Sequence, residues 1–331
     1  MDNFNNQTGI LVQQYYNKVA KPLLPNVEQG TGFAFGSQDS PFSIEISPNS
    51  VNGSLVASQY EYKAEKLRFI HYTKLKYAKD IIREGKFRMY SLSSMNDPQE
   101  LSFALNEIIP DKSDFTINTY KDETFVLSMN EFEKGKESSS NWKDYGEGEK
   151  GIGIVIYFPK ETQIKWFHHY LSRILYREEH LEALKQFHIK HTDFITEKNV
   201  TITGQVQHFM LPLAAFHKTN DWEKENEVRL IVTKNYVNNE SIYKVKLDGD
   251  KKYIELVLNK KRFQVLLDNT FKNDTDSINW GNESYPIPKI EKIILGPKLI
   301  ETAKLKAELK KLAKESLGYE IKVEKSKLIA L

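Results

Sequence analysis

Apolar residues recur along most of the chain at the two spacings that mark helices and strands. Residues 66–73 (KLRFIHYT) are rich in β-forming side chains and read as a strand. Residues 75–84 then place Leu75, Ala78, Ile81 and Ile82 on one helical face, with Gly85 where a helix stops. A second strand is expected at 87–92. Asp97-Pro98-Gln99-Glu100 reads as a helix start, with Asp97 as cap, Pro98 in the first turn and Glu100 closing a capping box. The helix it opens turns Leu101, Ala104, Leu105 and Ile108 inward. Strands follow at 124–129 and 151–158. Residues 161–195 read as one long helix striped by Ile164, Phe167, Leu171 and Ile174, and 205–216 as a shorter one interrupted by Pro212. Strands then dominate, at 227–233, 242–247, 253–258 and 290–295, before a lysine-rich helix at 301–316 and a last strand at 319–324. The strands are not regularly separated by crossover helices. The pattern therefore predicts an α+β fold, a mixed or antiparallel sheet core with flanking helices.

Charge divides the chain differently. Residues 1–66 hold four lysines and six acidic residues, and the remainder is about twice as densely charged. The early stretch is rich in Asn, Gln, Ser, Gly and Pro but carries too many aromatics (Tyr15, Tyr16, Phe33, Phe35, Phe42) for a plain disordered tail. It reads as an N-terminal extension that packs on the body or on a protein partner, with 67–331 as the main α+β domain. Gly30, Gly32 and Gly36 follow no clear strand and read as a loop, not a phosphate cradle.

Composition excludes several classes. With no cysteine among 331 residues there is no disulfide framework, thiolate metal site or cysteine nucleophile. The net charge of +2 argues against a protein that coats nucleic acid. No apolar run approaches the ~20 residues of a membrane span. The N-terminus lacks the pattern of a secretory signal. A cytoplasmic protein that does not enter the membrane is expected.

Four polar constellations remain: His71-Tyr72-Thr73 with Tyr90-Ser91; Asn96 to Glu100; Ser128 with the stretch from Ser138 to Gly146; and Trp222 to Arg229, which contains Glu225-x-Glu227-x-Arg229. Glu225 and Glu227 would share one strand face, and Glu227 and Arg229 can simply pair there. The histidines at 168, 169, 180, 188 and 191 lack zinc-protease spacing and read as packing or surface residues. The Lys304 to Lys314 cluster reads as a solvated helix face.

In this order the motifs resemble a widespread bacterial family of unknown function, whose members carry a His-Tyr-Ser/Thr strand, Asn-Asp-Pro-x-Glu, a Ser-containing strand before Trp-x-x-Tyr, Trp-x-x-Glu-x-Glu-x-Arg and Leu-Gly-Pro. The last matches Leu295-Gly296-Pro297. More distantly, His71-x-Thr73, the helix ending at Gly85, and Tyr90 are similar to the NAD-binding half of ADP-ribosyltransferases, and Glu225-x-Glu227 to their late carboxylate motif. One departure is Tyr72, where those enzymes have glycine. The resemblance implies a split sheet core, with NAD as substrate held by His71, Thr73, Tyr90 and Ser128. It implies Glu227, or else Glu225, as catalytic carboxylate, no resident metal, and a protein, nucleic acid or water as acceptor. It suits a bacterial toxin or phage-defence effector. Two rivals stand beside it. One is a magnesium-dependent nuclease or phosphodiesterase using Asp97, Glu100, Glu225 and Glu227. The other is a non-enzymatic sensor or binding module whose N-terminal segment contacts a partner.

Overall fold

The computed structural model describes residues 2–35, 42–49, 51–95, 101–109, 114–132, 134–204, 206–233, 243–258, 263, 282–300 and 303–329. Its strands are β1 (Gln29–Phe35), β2 (Phe42–Pro48), β3 (Leu67–Thr73), β4 (Lys86–Ser91), β5 (Thr124–Glu131), β6 (Ile152–Phe158), β7 (His169–Arg173), β8 (Val200–Thr203), β9 (Glu227–Thr233), β10 (Lys246–Asp248), β11 (Lys251–Val257), β12 (Lys289–Leu295) and β13 (Lys322–Lys325). Its α-helices are α1 (Asp2–Tyr15), α2 (Leu75–Glu84), α3 (Ser102–Ile108), α4 (Asp114–Glu123), α5 (Ser139–Asp144), α6 (Glu182–Lys198), α7 (Leu211–Ala214) and α8 (Ala303–Leu317).

Ten strands form one sheet, in the order β10-β11-β4-β5-β3-β6-β12-β13, with β9 pairing with β5 and β7 pairing with β9. Its ladders are antiparallel except β12 with β13. The fold is thus α+β with a mixed sheet and flanking helices. Among the described residues no helix is long and apolar enough to cross a membrane.

Strand β5 is the pivot of the sheet. One of its edges pairs with β9 along the whole of 124–130. The other edge is shared: Phe125 and Val126 pair with Ser91 and Tyr90 of β4, while Asn130 and Glu131 pair with Ile70 and Phe69 of β3. Between these short ladders β3 and β4 splay apart, leaving residues 127–129 facing a gap.

Side-chain alternation gives the two faces of β5 and β9 different fates. Phe125, Leu127, Met129, Val228, Leu230 and Val232 enter one apolar cluster with Ala78 and Ile82 of α2 and Leu309, Ala313 and Leu317 of α8. Val126 and Ile231 enter a second cluster on the opposite face. Further along that second face the alternation delivers Ser128, Asn130, Glu227 and Arg229, and the apolar layer gives way to a polar one.

The second cluster includes much of the N-terminal stretch. Val12, Tyr15, Tyr16, Val19, Leu23, Leu24, Ile44, Ile46, Leu55 and Tyr60 are buried there with Phe187 and Phe194 of α6 and with Phe209 to Phe216. Strand β2 pairs in parallel with β8. The Tyr15 hydroxyl lies 3.1 Å from His191 Nδ1, and the Asn52 side-chain oxygen accepts the Leu171 N–H at 2.8 Å. Residue 66 is therefore a boundary in composition but not in packing.

Helix α2 ends as expected: Gly85 is left-handed (φ 64°) and its N–H bonds the Ile81 carbonyl at 2.9 Å. The single long helix expected over 161–195 does not form. A 3₁₀ segment (Lys160–Lys165), strand β7 and a second 3₁₀ turn (Glu178–Leu181) precede α6, and Ile164, placed on the apolar stripe, is exposed. The stretch His169-Tyr-Leu-Ser-Arg supplies a partner for the second edge of β9, a non-local demand that outweighs helical spacing. The 205–216 helix is a π-type turn (Val206–Met210) followed by α7, with Pro212 in its first turn. Gly30 and Gly32 lie in β1, not in a loop. The Asn96 to Glu100 cap falls outside the described residues.

Five histidines, at 168, 169, 191, 208 and 217, are held neutral by burial, which lowers their pKa values to about 3–4. In the unfolded chain each titrates near 6.5. Their contribution to stability is complete above that value and is lost as pH falls toward 4, because the unfolded chain takes up protons the fold refuses. Thermal melts are expected to drop steeply between pH 7 and pH 4.5. A melting temperature flat over that interval would show that these rings are not buried neutral.

Candidate functional site

The gap beside β5 is the floor of a cavity of about 560 Å³. Its lining includes His71, Thr73, Tyr90, Ser128, Glu225 and Glu227, so residues spread over more than 150 positions of sequence meet around one space.

His71 sits where β3 leaves β5. Its Nδ1 lies 2.9 Å from the Ser128 carbonyl, and its ring packs edge-on against Phe87 with centroids 5.4 Å apart. A carbonyl can only accept, so Nδ1 carries the hydrogen and Nε2 is left as an acceptor. Burial lowers the His71 pKa, with the Ser128 carbonyl opposing, which keeps the ring neutral. Tyr72, the departure from glycine, packs edge-on against buried Trp142, and its hydroxyl accepts the Ser138 N–H at 2.9 Å. It thereby anchors the start of α5.

Tyr90 projects from β4. Its hydroxyl donates to Asp248 at 2.9 Å, and its ring tilts against Tyr253 with centroids 5.8 Å apart. Arg88 meets the same Asp248 carboxylate at 2.8 Å. The tip of the β10–β11 hairpin thus fixes the tyrosine at the cavity.

Glu225 does not lie on a strand, contrary to the shared-face expectation. It ends a 3₁₀ turn (Asn220–Glu225). Asn226 then takes a left-handed conformation (φ 46°), and β9 begins at Glu227. The carboxylates converge all the same, through a residue outside the four motifs. Lys218 Nζ lies 2.7 Å from Glu225 Oε2 and 2.8 Å from Glu227 Oε2, and all three side chains are buried. Arg229, with no exposed surface, reaches both Glu227 oxygens, Nε to Oε1 at 2.7 Å and Nη2 to Oε2 at 3.1 Å. Its Nη1 donates to the Ala215 carbonyl at 2.8 Å. The pairing of Glu227 with Arg229 is therefore present, in a buried and bidentate form.

Further contacts hold Glu225. The Tyr145 hydroxyl donates to its Oε1, and Asn130 and Asn141 donate to its backbone carbonyl. The Glu227 N–H bonds the Tyr176 hydroxyl at 2.8 Å. Trp222 lies over Lys218 Nζ, 5.3 Å from ring centroid to nitrogen. Two acids and two bases make a quartet with no net charge. Burial pushes the Glu227 carboxyl above its ordinary pKa, while Lys218 pulls it back. Burial alone would discharge Lys218, but Glu227 and Glu225 outweigh it and hold the ammonium above its usual range.

The Leu295-Gly296-Pro297 strand end also acts here. Gly296 packs so closely that a Cβ would come 2.3 Å from the Glu149 carbonyl oxygen, and its N–H bonds the Gly151 carbonyl at 2.9 Å. It braces the 146–151 turn that follows Tyr145.

Among the described residues no group of three or more His, Asp or Glu side chains is arranged to hold an ion. Glu225 and Glu227 already have cationic partners, which a divalent ion would have to displace. Asp97 and Glu100, the other acids of the nuclease reading, lie outside the described residues.

Sequence reasoning missed Lys218, which follows an apolar run and carries no local signal. Tyr145 and Asn141 were visible only as members of a polar stretch.

Residues 110–230 match a family described as Protein of unknown function (DUF2971). The match takes in Ser128, Asn141, Tyr145, Lys218 and the Glu225 to Arg229 segment, and stops short of His71 and Tyr90. It supports placing this part of the chain with a family of unknown function. No curated protein and no solved structure matches the chain.

Proposed function

We propose that the cleft binds NAD⁺ and breaks its nicotinamide–ribose bond, passing the ADP-ribosyl group to an acceptor or to water. The observation that carries this reading is the opening of the sheet beside β5, which gathers His71, Tyr90 and the two carboxylates around one cavity. Such an opening supports the split core that the resemblance to ADP-ribosyltransferases implies. His71, neutral and with Nε2 free to accept, suits a ribose hydroxyl. The Tyr90 ring suits a flat nicotinamide face. As the bond breaks, its electrons leave with the nicotinamide and positive charge grows on the ribose, where a preorganised carboxylate is most effective. Sequence order favoured Glu227 for that task. Its oxygens, however, are both engaged by Arg229, so Glu225, held by one cation and one neutral phenol, is the better candidate. The bond from the anomeric carbon to the acceptor then forms as the acceptor's proton passes to a carboxylate. Consumption of NAD⁺ in a bacterial cytosol suits a toxin or phage-defence effector.

Purified protein incubated with NAD⁺ labelled in the adenine half is expected to release nicotinamide and to transfer label to a protein or nucleic acid in a lysate, or to free ADP-ribose. His71→Ala should weaken NAD⁺ binding about tenfold, the worth of one good hydrogen bond. Calorimetry showing no NAD⁺ binding to the wild type, together with magnesium-dependent phosphodiester cleavage, would favour the nuclease reading instead.

A further inference from the structure

Lys218 touches both carboxylates. Taken alone, Glu225 and Glu227 are like charges in a buried site, a situation in which one of them takes up a proton. Arg229 is bidentate to Glu227, and the phenol of Tyr145 offers Glu225 a hydrogen bond but no charge. The groups facing the pair from the other packed elements are uncharged: Tyr176 from the segment after β7, Ser128 from β5 and Trp222 from the 3₁₀ turn. His217, next in the chain, is held neutral by burial with its Nε2 3.1 Å from the Tyr60 hydroxyl. The charge balance of Glu225 thus depends on Lys218.

We propose that Lys218 is a positioning residue whose ammonium, shared between Glu225 and Glu227, keeps both carboxylates charged at neutral pH and holds Glu225 at the cavity wall. Its effect on catalysis rests on the NAD⁺ reading; its effect on the carboxylates does not. Lys218→Met keeps an unbranched apolar stem against Trp222 and removes the charge. One acid of the pair is then expected to bind a proton near neutrality. Lys218→Arg restores a cation and should leave both ionised.

Two measurements separate the claims. The first is an infrared or ¹³C carboxyl titration of wild type, Lys218→Arg and Lys218→Met, with Glu225→Gln and Glu227→Gln to assign signals. Wild type and Lys218→Arg should show neither acid protonated at pH 7, and Lys218→Met should show one. A protonated Glu225 or Glu227 in the wild type at pH 7 overturns the proposal, even if the methionine variant fails to fold. So does a folded Lys218→Met protein whose two acids remain ionised. The second is the pH dependence of NAD⁺ cleavage. In Lys218→Met the acid limb should move up by at least about two pH units, with kcat near pH 7 lowered about tenfold, KM little changed, and recovery in Lys218→Arg. A uniform loss of kcat at all pH values would mark Lys218 as merely structural and overturn the catalytic half. Complete absence of NAD⁺ cleavage in the wild type would sink the NAD⁺ reading, while the titration would still decide the role of Lys218.

Discussion

Replacing Glu227 by glutamine is expected to lower stability by about 3–5 kcal/mol, the usual consequence of breaking a buried ion pair from one side. Arg229 has no exposed surface, and its guanidinium would lose a carboxylate that meets it at 2.7 Å and 3.1 Å. Lys218 would lose one of its two acids. Lys218 would keep Glu225, while Arg229 would lose its carboxylate. The same substitution at Glu225 should be milder for the fold, because Lys218 keeps Glu227 and Tyr145 keeps a neutral partner. On the NAD⁺ proposal its expected effect is on the reaction: kcat down by about 10²–10³, the loss typical of one preorganised electrostatic group, with NAD⁺ affinity nearly unchanged. Denaturant melts and NAD⁺ turnover on both variants distinguish the roles. A stable Glu227→Gln protein that is inactive, beside an active Glu225→Gln protein, would return the catalytic part to Glu227.

A second large effect is expected from removing residues 1–66. The charge boundary there invites the view that 67–331 stands alone. The packing argues otherwise. Val12, Tyr15, Tyr16, Val19, Leu23, Leu24, Ile44, Ile46, Leu55 and Tyr60 are all nearly inaccessible and lie against α6 and the Phe209 to Phe216 segment. Burial of one such side chain contributes roughly 1.5–3 kcal/mol. Together they exceed the roughly 5–15 kcal/mol by which a typical protein is stable. The truncated chain should aggregate or lose near-ultraviolet dichroism. The site would suffer too, because Tyr60 holds His217 immediately before Lys218. A monomeric fragment 67–331 with a cooperative melt would show that the N-terminal stretch is an accessory layer.

Local signals in the chain were legible where one segment decides its own structure. Strand β3, helix α2 with its stop at Gly85, strand β6 and strand β9 lie within a residue or so of their expected places, because period and capping act between neighbours. His71, Tyr90 and the Glu-x-Glu pair could be singled out by type and order. What the sequence did not disclose depends on distant partners. The apolar spacing of 161–195 satisfies a helix, but the unpaired edge of β9 claims 169–173 as a strand. Glu225 and Glu227 were expected to meet by strand alternation, yet they meet through a left-handed turn at Asn226 and a lysine seven residues before Glu225. By itself the sequence determined the α+β class, the principal strands and the residue types available for chemistry. Only the tertiary structure decided that β3 and β4 part beside β5, that the N-terminal stretch belongs to the core, and that Lys218 and Arg229 neutralise the two acids. Local preference is set by neighbours in the chain, whereas a cavity and its charge balance are set by which segments compete for the same edges and buried spaces.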